Sequence, residues 1–521
     1  MKISFENYTT IGLIRTGTLV LFVSEDYIKK YIEMSGLCVA GISCKSGEEC
    51  NCEKTAIQQA IYEYDFKGKV SETVIVGSKA GIFDRVVLIG LGEISKLNEN
   101  VAENIGFKAF KYLKSNKIKN ATCLFNSKIF DDQSIEYAED DYYSNLIFGF
   151  SMGEYSFDKY LTGEKQKAKE LKLDEVIFLT NDVEKLKAES KSFETLKNNI
   201  FFCRDLVNEP ANVIYPESLV KIAKELTKLD VKVNVLKVKD MEKLGMGSLL
   251  AVGQGSDNES YMVVLEWNGG DKNDKPLAFV GKGVTFDSGG LSLKPGNSMN
   301  DMKTDMSGSA VVLSLIRLLA MRKAKVNAVG VMALVENMPS GKAIKVGDIV
   351  KSMSGQTIEI MNTDAEGRMI LADALYYASV KYNPELIIDL ATLTGAICVA
   401  LGEEYAGMFT NNDSLSVELE IAGKKTGEGV WRMPLSKLGG FYDKQIDSDF
   451  ADVRNTGKTR DGGAITAAQF LQRFINNHTK WAHLDIADTA YITQENFLTQ
   501  KNATGYGVRL LNQLIKDNYE K

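Results

Sequence analysis

The sequence predicts an α/β protein of two α/β domains, the second with a mixed, mostly parallel central sheet covered by helices on both faces. Its 521 residues exceed what one hydrophobic core usually supports. From residue 230 onward, strand-like runs that are apolar without alternation are followed by segments with apolar residues at helical spacing. Strands that are buried on both faces show this pattern, because helices then cover both sides of the sheet.

Three consecutive segments make up the predicted domain organisation. Residues 1–180 alternate strand-like and helix-like runs, such as the strand pattern at 85–93 and the amphipathic helix pattern at 98–117, and are predicted to form an N-terminal α/β domain. Residues 181–210 are charged, have apolar residues at helical spacing and end at a proline, which predicts a connecting helix. Residues 211–521 are predicted to form the C-terminal domain, which would carry the catalytic site.

In the C-terminal domain, polar residues follow the predicted strands. Helical patterns cover residues 307–322 and 462–477. Ligands of such sheets bind beyond the carboxyl ends of the strands, so the polar residues that trail these strands form the candidate site. The predicted strands are VKVNVLKV, YMVVLEW, PLAFVGKGVTF, KVNAVGVMALV, TIEIMN and ELIIDLATLT.

The composition excludes several classes of function. The net charge of −7 argues against a general nucleic-acid binder, although a local basic patch would escape this average. Only two histidines occur, which excludes H-E-x-x-H zinc proteases and three-histidine zinc sites. One of them, His483, lies in a strand-like run and is interpreted as a core histidine with a satisfied hydrogen bond. Any metal chemistry would therefore depend on carboxylates.

Cysteine content and hydropathy bear on the compartment. The odd total of 7 cysteines is typical of a reducing compartment. Cys44, Cys50 and Cys52 cluster in GISCKSGEECNC and are interpreted as free thiols of a surface loop, with a metal site as the alternative. No apolar run is long and clean enough to span a bilayer, so we expect a cytoplasmic protein without a membrane partner.

The segment NTDAEGRMIL places Asp364, Glu366 and Arg368 two positions apart. In extended backbone these three side chains would share one face. Gly367 has no Cβ, so the chain or a ligand can approach closely there. Residues 369–382 have apolar positions at helical spacing and are predicted to form a buried helix.

Further charged residues follow the predicted strand PLAFVGKGVTF. Lys282 lies between two glycines near its end, and Asp287 follows. Lys294 and Asp305 come before the next helix. With the two carboxylates of NTDAEGR, four carboxylates would lie at strand-to-loop junctions of one sheet. The alternative is four unrelated capping and turn carboxylates, with Asp305 as the cap of a helix.

Four clustered carboxylates cannot all stay ionised without cations. Two divalent ions would neutralise them, and oxygen ligands suit Mg²⁺, Mn²⁺ and Zn²⁺. Two such ions about 3.5–4 Å apart can share a water, lower its pKa and stabilise a hydrolytic transition state. The pattern therefore predicts a two-metal hydrolytic site beside Arg368, which would bind an anion or developing charge.

Several segments in consistent order over residues 200–510 resemble the leucyl aminopeptidase, or cytosol aminopeptidase, family. The resemblance implies a metal-dependent exopeptidase hydrolase that removes the N-terminal residue of a peptide, with apolar residues such as leucine preferred, through a hydroxide that bridges two metals. We recognise no motif of the family in residues 1–175, which are expected only to fit its two-domain plan. The matching segments are VNEPAN, VGKGVTFDSGGLSLKP, MKTDMSG, ENMPSG, NTDAEGR, ATLTGA and GGAITAAQFL.

The family motifs assign roles to individual residues of this chain. By resemblance, Lys294 stabilises the oxyanion of the tetrahedral intermediate, and Arg368 holds a bicarbonate that acts as general base. Met302, Thr392 and Gly395 match positions that line the pocket for the first side chain. The resemblance implies two divalent ions per subunit, Mn²⁺ or Zn²⁺ with Mg²⁺ as an alternative, and a neutral lysine among their ligands. The implied ligands are Lys282, Asp287, Asp305, Asp364 and Glu366.

The resemblance also implies partners. The substrates are peptides with a free N-terminal amine, and the assembly is a homohexamer of two trimers. Two departures from the family pattern, KVGD at residues 345–348 in place of R-P-G-D and Asp488 in place of glycine, concern loop geometry and touch no ligand. Three alternatives stay open: another two-metal hydrolase such as a phosphoesterase, a DNA-binding role as in some family members, and an inactive homologue. Every implied ligand position is filled, which argues against the last.

Overall fold

The chain divides into two compact units. The first comprises Met1–Lys197 with Phe497–Thr499, and the second comprises Asn198–Asn496 with Gln500–Lys521. Cys44, Cys50 and Cys52, for which a thiol loop is predicted, lie outside the described residues. The computed structural model describes residues 1–7, 17–33, 59–77, 83–125, 139–169, 173–476 and 478–520.

The first unit is built on a six-stranded sheet. Its strands are β1 (Lys2–Asn7), β2 (Thr18–Ser24), β3 (Thr73–Gly77), β4 (Arg85–Gly92), β5 (Asn120–Phe125) and β6 (Glu175–Thr180). Its helices include α1 (Glu25–Glu33), α2 (Glu99–Ser115), α3 (Glu139–Met152) and α4 (Gly163–Lys169). The strand order is β1-β6-β5-β2-β4-β3, and every neighbouring pair is parallel except β3 with β4.

Alternate residues of the central strands belong to two different hydrophobic cores. Both faces of this sheet are therefore covered. Val20 and Phe22 of β2 lie in one core, whereas Leu19 and Leu21 of the same strand lie in the other. Helix α2 begins after Asn98, whose side chain accepts a hydrogen bond from the backbone of the first turn. The strand and helix patterns at 85–93 and 98–117 thus correspond to β4 and α2.

A long helix, α5 (Val183–Asn208), follows the first sheet. It covers most of residues 181–210, for which a connecting helix is predicted. The division between the two compact units falls inside α5, after Lys197. The helix ends two residues before Pro210, in keeping with the unfavourable helical conformation of residues that precede proline.

The second unit contains an eight-stranded sheet and two small sheets. Its strands are β7 (Lys232–Leu236), β8 (Tyr261–Asn268), β9 (Leu277–Asp287), β10 (Asn327–Asn337), β11 (Ile349–Lys351), β12 (Thr357–Glu359), β13 (Leu386–Ala391), β14 (Ala406–Thr410), β15 (Val430–Arg432), β16 (Val453–Arg454), β17 (Lys480–Asp485), β18 (Tyr491–Ile492) and β19 (Asn502–Ala503). Its helices are α6 (Pro216–Lys224), α7 (Val238–Lys243), α8 (Gly247–Gly253), α9 (Gly296–Met299), α10 (Ser307–Met321), α11 (Glu366–Tyr382), α12 (Gly395–Leu401), α13 (Asp413–Thr426), α14 (Gly463–Gln472) and α15 (Val508–Asn518).

The large sheet has the strand order β15-β14-β17-β13-β9-β10-β8-β7. Its four central strands, β17, β13, β9 and β10, run parallel, whereas β14 and β8 are antiparallel to their central neighbours. The carboxyl ends of the four parallel strands therefore meet at one edge of the sheet, where Asp485, Ala391, Asp287 and Asn337 end them. The predicted fold class, with a mixed, mostly parallel sheet in the second unit, is confirmed.

Helices α10 and α11 cover opposite faces of this sheet. A Cβ at Gly281 of β9 would meet the backbone of α10, whereas the next residue, Lys282, lies against Gly367 of α11. One helical stretch of the described chain, Gly296–Met321, has the length and composition of a membrane span, and 89% of its most apolar window is buried inside the protein. Its apolar composition is explained by this burial in the core.

The start of α10 packs closely against the sheet. A Cβ at Gly308 would lie 2.0 Å from the carbonyl oxygen of Leu390 in β13. A Cβ at Gly281 would lie 2.6 Å from the backbone of Gly308. These two glycines let the helix approach β9 and β13 just after Asp305, and they thereby bring that carboxylate to the carboxyl edge of the sheet.

We expect Gly308→Ala to lower the free energy of unfolding of the second unit by about 1–3 kcal/mol, because the added methyl group must displace the backbone of β13. It should also lower peptidase activity, since Asp305 is three residues away. Urea unfolding followed by tryptophan fluorescence reports this unit alone, because the only tryptophans are Trp267, Trp431 and Trp481. The control is Gly341→Ala, where a Cβ would meet nothing within 4 Å. Equal midpoints for the two variants would contradict the expectation.

Candidate active site

Lys282 lies at the centre of the charged residues at the sheet edge. Its Nζ is 2.7 Å from Oδ1 of Asp305 and 2.9 Å from Oε1 of Glu366. It also donates a hydrogen bond of 2.9 Å to the carbonyl oxygen of Thr392. A Cβ at Gly367 would lie 2.8 Å from this Nζ. The close approach expected at that glycine is therefore made by the side chain of Lys282.

Lys294 forms a second cationic contact with the other two carboxylates. Its Nζ is 2.9 Å from Oδ2 of Asp287 and 2.5 Å from Oδ1 of Asp364. The remaining oxygen of Asp287 accepts hydrogen bonds of 2.8 Å from Nδ2 of Asn337 and 2.9 Å from the backbone of Gly289. Each predicted lysine thus lies between two of the four predicted carboxylates.

The NTDAEGR segment lies where a turn meets a helix, so the extended backbone in which its three charged side chains would share one face does not occur. Helix α11 begins at Glu366, so Glu366 and Arg368 lie in its first turn and Asp364 lies in the preceding turn. The segment follows β12, which belongs to a small three-stranded sheet and not to the large one. A carboxylate in the first turn is favoured by the helix dipole. Glu366 therefore reaches Lys282 from a helix start and not from a strand.

The interpretation of Asp305 as a helix cap is also wrong. The residue that precedes α10 is Met306, and its side chain makes no capping hydrogen bond. The carboxylate of Asp305 instead contacts Lys282 and accepts a hydrogen bond of 2.7 Å from Oγ1 of Thr392. Its position is set by the charged cluster.

Burial and mutual repulsion change the protonation of these carboxylates. Burial, followed by the charge of Glu366, raises the pKa of Asp287 to about 6, although both lysines oppose this shift. Burial raises the pKa of Asp305 well above its usual range. Burial also disfavours the charged form of Glu366, but Lys282 and Lys294 outweigh it and lower the pKa of that carboxyl. The two lysines do not fully neutralise the cluster.

Burial opposes the positive charge of both lysines, but the carboxylates outweigh it. Asp305, Glu366 and Asp287 raise the pKa of Lys282 above its usual range. Asp287 and Glu366 do the same for Lys294. Both side chains are therefore ammonium ions in this arrangement, and they are the cations that lie among the acidic side chains.

The donor set fits divalent cations. Oxygens of Asp287, Asp364 and Glu366 all lie within 4.8 Å of one another. Oδ2 of Asp305 and Oε2 of Glu366 are buried, and neither has a hydrogen-bond partner in the described part of the chain. A buried carboxylate oxygen without a partner is costly, and a metal ion would satisfy it. The cluster can thus hold metal.

Arg368 lies beside this cluster in the first turn of α11. It is buried, and burial lowers the pKa of its guanidinium to about 10. One NH1 hydrogen bond of 2.8 Å goes to the carbonyl oxygen of Asn455. Its Nε makes no hydrogen bond to any residue that the structure describes. The guanidinium therefore keeps donor capacity for an anion.

The three residues predicted to line a substrate pocket come from two segments, one that follows β13 and one that precedes Asp305. Thr392 directly follows β13 and contacts both Lys282 and Asp305. Gly395 begins α12 and is exposed. Met302 begins the short 3-10 turn Met302–Thr304, which leads into Asp305. Of the three, Thr392 is the one whose contacts join it to the charged cluster.

Sequence reasoning missed several polar residues of the site. Asn337 orients Asp287, and Asn455 accepts from Arg368. Asp485 binds the loop that follows β13. Asn337 and Asp485 are the last residues of two parallel strands, so their position at the carboxyl edge was the available signal.

His483 is buried in β17, as predicted for a core histidine. Its Nδ1 is 2.6 Å from Oδ1 of Asp389, and its ring stacks against Phe409. Burial disfavours its charge, but Asp389 outweighs burial and raises the pKa of the imidazole. Its Nε2 is buried and has no hydrogen-bond partner within the described ranges, so the histidine is satisfied at one nitrogen.

The fold and the site together define a class of protein. Lysines, carboxylates and an arginine converge at the carboxyl edge of a mixed α/β sheet, which is where enzymes of this architecture bind their ligands. Residues 201–512 match the catalytic domain of the cytosol aminopeptidase family, and residues 45–164 match its N-terminal domain. The chain belongs to this family and is an aminopeptidase, a hydrolase that acts at the N-terminus of peptides.

Named relatives agree with this assignment. A probable cytosol aminopeptidase of Nitrobacter winogradskyi is 44% identical over 521 residues, which is 100% of this chain and 99% of the relative. Another, from Bradyrhizobium sp., is 55% identical over 383 residues, 73% of this chain and 75% of the relative.

Solved structures show the same fold. A mutant of tomato leucine aminopeptidase matches with a TM-score of 0.82 and 32% identity, covering 99% of this chain and 97% of that one. The bottromycin maturation enzyme BotP, in complex with Mn, matches with a TM-score of 0.79 and 27% identity, covering 96% of this chain and 99% of that one.

Proposed function

We propose that this aminopeptidase uses two divalent metal ions and prefers substrates with an apolar N-terminal residue such as leucine. The observation that carries the proposal is the placement of Lys282 among carboxylates that include two buried oxygens without a hydrogen-bond partner in the described chain. A lysine surrounded in this way by acidic ligands has no evident place in a phosphoesterase site, whereas it is expected from the family motif.

The residues that would hold the two ions come from three segments of the second unit. When bound, the ions would supply Lewis acidity and a water of lowered pKa. Mn²⁺ is supported by the Mn complex of the structural relative BotP, and Zn²⁺ and Mg²⁺ suit the same oxygen donors. The proposed ligands are Lys282, Asp287, Asp305, Asp364 and Glu366.

Lys294 is proposed to stabilise the oxyanion that forms when the peptide carbonyl is attacked. Its ammonium lies at the rim of the cluster and is partly exposed, so it can reach a substrate carbonyl. Asp287 and Asp364 hold it in place and keep it charged. A fixed ammonium in a partly desolvated site stabilises developing negative charge strongly.

Arg368 is proposed to hold a bicarbonate as general base. Its buried guanidinium, with an Nε that lacks a partner among the residues described, supports the binding of a small anion there. A bicarbonate held there would supply a general base in a site whose nearby histidine, His483, is buried against Asp389.

Met302, Thr392 and Gly395 are proposed to line the pocket for the first side chain. Gly395 is exposed, and among the described residues nothing beyond its chain neighbours and its own helix lies within 4 Å of the position that its Cβ would take. This open space supports a pocket for an apolar side chain. Thr392 would form the wall that faces the ligands, because it contacts Lys282 and Asp305.

A cytoplasmic homohexamer is proposed as the working form. The curated relatives are named cytosol aminopeptidases, which supports the compartment. Leu438, Phe441 and Phe450 lie close together in sequence and are exposed in the single chain, which supports a subunit interface. Light scattering that gave the mass of a monomer would overturn this assembly.

We expect metal-stripped protein to be inactive on leucine p-nitroanilide and to regain activity with Mn²⁺ or Zn²⁺. The N-acetylated substrate should not be cleaved with any metal, because acylation removes the free amine that the enzyme must bind. Release of p-nitroaniline, measured with and without bicarbonate, gives the readout, and a bicarbonate anion bound at Arg368 should raise the rate. Substituting Asp364→Ala should abolish the activity.

Two outcomes would contradict this proposal. Equal cleavage of the free and acetylated substrates would exclude an aminopeptidase mode of binding. Absence of activity with Mn²⁺, Zn²⁺ and Mg²⁺, in protein shown to be folded, would exclude the two-metal mechanism for this substrate. Asn258→Ala is a suitable control, since Asn258 lies in the loop before β8 and donates a hydrogen bond to Glu336 of β10, which is not a proposed ligand.

A further inference from the structure

The loop of Thr392, Leu393 and Thr394 connects the sheet to the charged cluster. It lies between the end of β13 and the start of α12. The carbonyl oxygen of Thr392 accepts from Lys282 at 2.9 Å, and its hydroxyl donates to Asp305 at 2.7 Å. One loop residue therefore touches two of the proposed ligands through two different groups.

The other side of this loop is held by a single buried carboxylate. Oδ1 of Asp485 accepts a hydrogen bond of 3.0 Å from the backbone of Leu393, and Oδ2 accepts one of 2.7 Å from the hydroxyl of Thr394. Asp485 is only 1% exposed and is the last residue of β17. Its backbone is anchored because β17 pairs with β13 in parallel register up to Ala391.

We infer that Asp485 is a positioning residue, which holds the loop so that Thr392 keeps both of its contacts with Lys282 and Asp305. Asp485 itself has no contact with either residue, and it acts through the two loop positions that follow Thr392. The inference rests on the proposed function, because it concerns the geometry of proposed metal ligands. Groups that hydrogen-bond metal ligands directly, as Thr392 would, affect metal affinity about 10–100-fold when they are removed, and Asp485 acts through the loop that holds Thr392.

The same hydrogen bonds fix the start of α12. Oγ1 of Thr394 donates to Asp485 and also accepts from the backbone of Ile397, as the cap of that helix. Gly395, a proposed pocket residue, directly follows Thr394. Asp485 thus holds one loop that serves both the ligands and the pocket, and a change at Asp485 should alter metal affinity and KM together.

The experiment measures the dissociation constant of Mn²⁺ for metal-stripped protein by isothermal titration calorimetry, with KM and thermal stability in parallel. Asp485→Ala removes both loop contacts and should weaken Mn²⁺ binding about 10–100-fold. Asp485→Asn keeps an acceptor for Leu393, and the rotatable hydroxyl of Thr394 can accept from its amide, so this variant should recover most of the affinity.

Asp389→Asn is the matched control. Asp389 is a buried carboxylate in the neighbouring strand, and it binds Trp481 and His483 but makes no contact with the loop. Its substitution should lower thermal stability and leave the Mn²⁺ affinity close to that of the wild type. An equal loss of affinity in Asp389→Asn and Asp485→Ala would overturn the inference, since the effect would then follow from any buried carboxylate.

The remaining outcomes also test the inference and separate it from the proposed function. Unchanged affinity and KM in folded Asp485→Ala would overturn the inference while the proposed function stands. If Asp485→Ala does not fold, Thr394 provides a second test. Thr394→Ala should weaken Mn²⁺ binding, and Thr394→Ser, which keeps the hydroxyl, should bind Mn²⁺ as the wild type does. Equal Mn²⁺ affinities of Thr394→Ala and Thr394→Ser would overturn the inference. Wild-type protein that binds no Mn²⁺ and cleaves no leucine p-nitroanilide would overturn the proposed function and this inference with it.

Discussion

Replacing Lys294 by methionine is expected to lower kcat on leucine p-nitroanilide about 10²–10³-fold, the usual loss when one donor to an oxyanion is removed. Methionine keeps most of the aliphatic length of lysine but has no ammonium group. Lys294 is proposed to donate to the oxyanion, which forms only in the transition state. The loss should therefore appear in kcat, with a small change in KM.

The same substitution should leave Mn²⁺ affinity unchanged or increase it. The ammonium of Lys294 is 2.9 Å from Oδ2 of Asp287 and 2.5 Å from Oδ1 of Asp364, so it neutralises two proposed ligands. Without it, both carboxylates are freer to bind a cation. A residue that served as a ligand would show the opposite result, because its removal weakens metal binding.

Steady-state kinetics and calorimetry on the metal-stripped protein give both quantities. Lys342→Met is the control, because Lys342 is exposed in a loop and its substitution should change neither of them. If Lys294→Met lost Mn²⁺ binding while kcat at saturating metal stayed normal, the lysine would be an element of metal binding and not a catalytic donor. A normal kcat with normal affinity would exclude both roles.

The sequence predicted the architecture because the relevant signals are local. The apolar runs of β9, β10 and β13 are continuous, and helical spacing follows them, which is sufficient to predict a covered, mostly parallel sheet. The carboxyl-edge rule then selected Lys282 and Asp287, which lie on or at the end of β9. For these residues, the local pattern and the position in the sheet both predicted a place in the candidate site.

The sequence did not predict how the other proposed ligands reach the cluster. Glu366 reaches the cluster from the first turn of a helix, and Asp305 does so through the close approach of Gly308 to the sheet. Both depend on contacts between distant segments. Asp485 was missed for the same reason, since its partners Leu393 and Thr394 are about 90 residues away in the chain. Long-range packing, and not local propensity, determined these positions.

Lys282→Met is expected to lower the free energy of unfolding of the metal-free second unit by about 3–5 kcal/mol, because it leaves Asp305 and Glu366 buried without their cation. Carboxylates raise the pKa of Lys282 above the ordinary value of 10.5, so this stabilisation is fully present below that pH and is lost only as pH rises through the higher folded-state value. Urea unfolding in EDTA at neutral pH, followed by tryptophan fluorescence, measures it.

Arg473→Met gives a reference for this experiment, since Arg473 pairs with the buried Asp443 at 2.8 Å outside the charged cluster. Its cost should be similar in EDTA and in Mn²⁺. If Lys282 were neutral in the metal-free protein, methionine would replace it with little loss, and a change below about 1 kcal/mol in Lys282→Met would contradict the ammonium assignment.

The charge state of Lys282 also determines how many protons are released when Mn²⁺ binds. A ligand must lose its proton to bind a metal, so Mn²⁺ binding to the wild type should release the proton that the carboxylates hold on Lys282. Lys282→Met has no such proton and, at a pH high enough to keep Asp305 and Glu366 ionised without their cation, should release about one proton fewer, measured by calorimetry in buffers of different ionisation enthalpy. Equal proton release in both proteins would mean that Lys282 keeps its ammonium beside the metal, and it would then act as a counter-charge for Asp305 and Glu366 and not as a ligand.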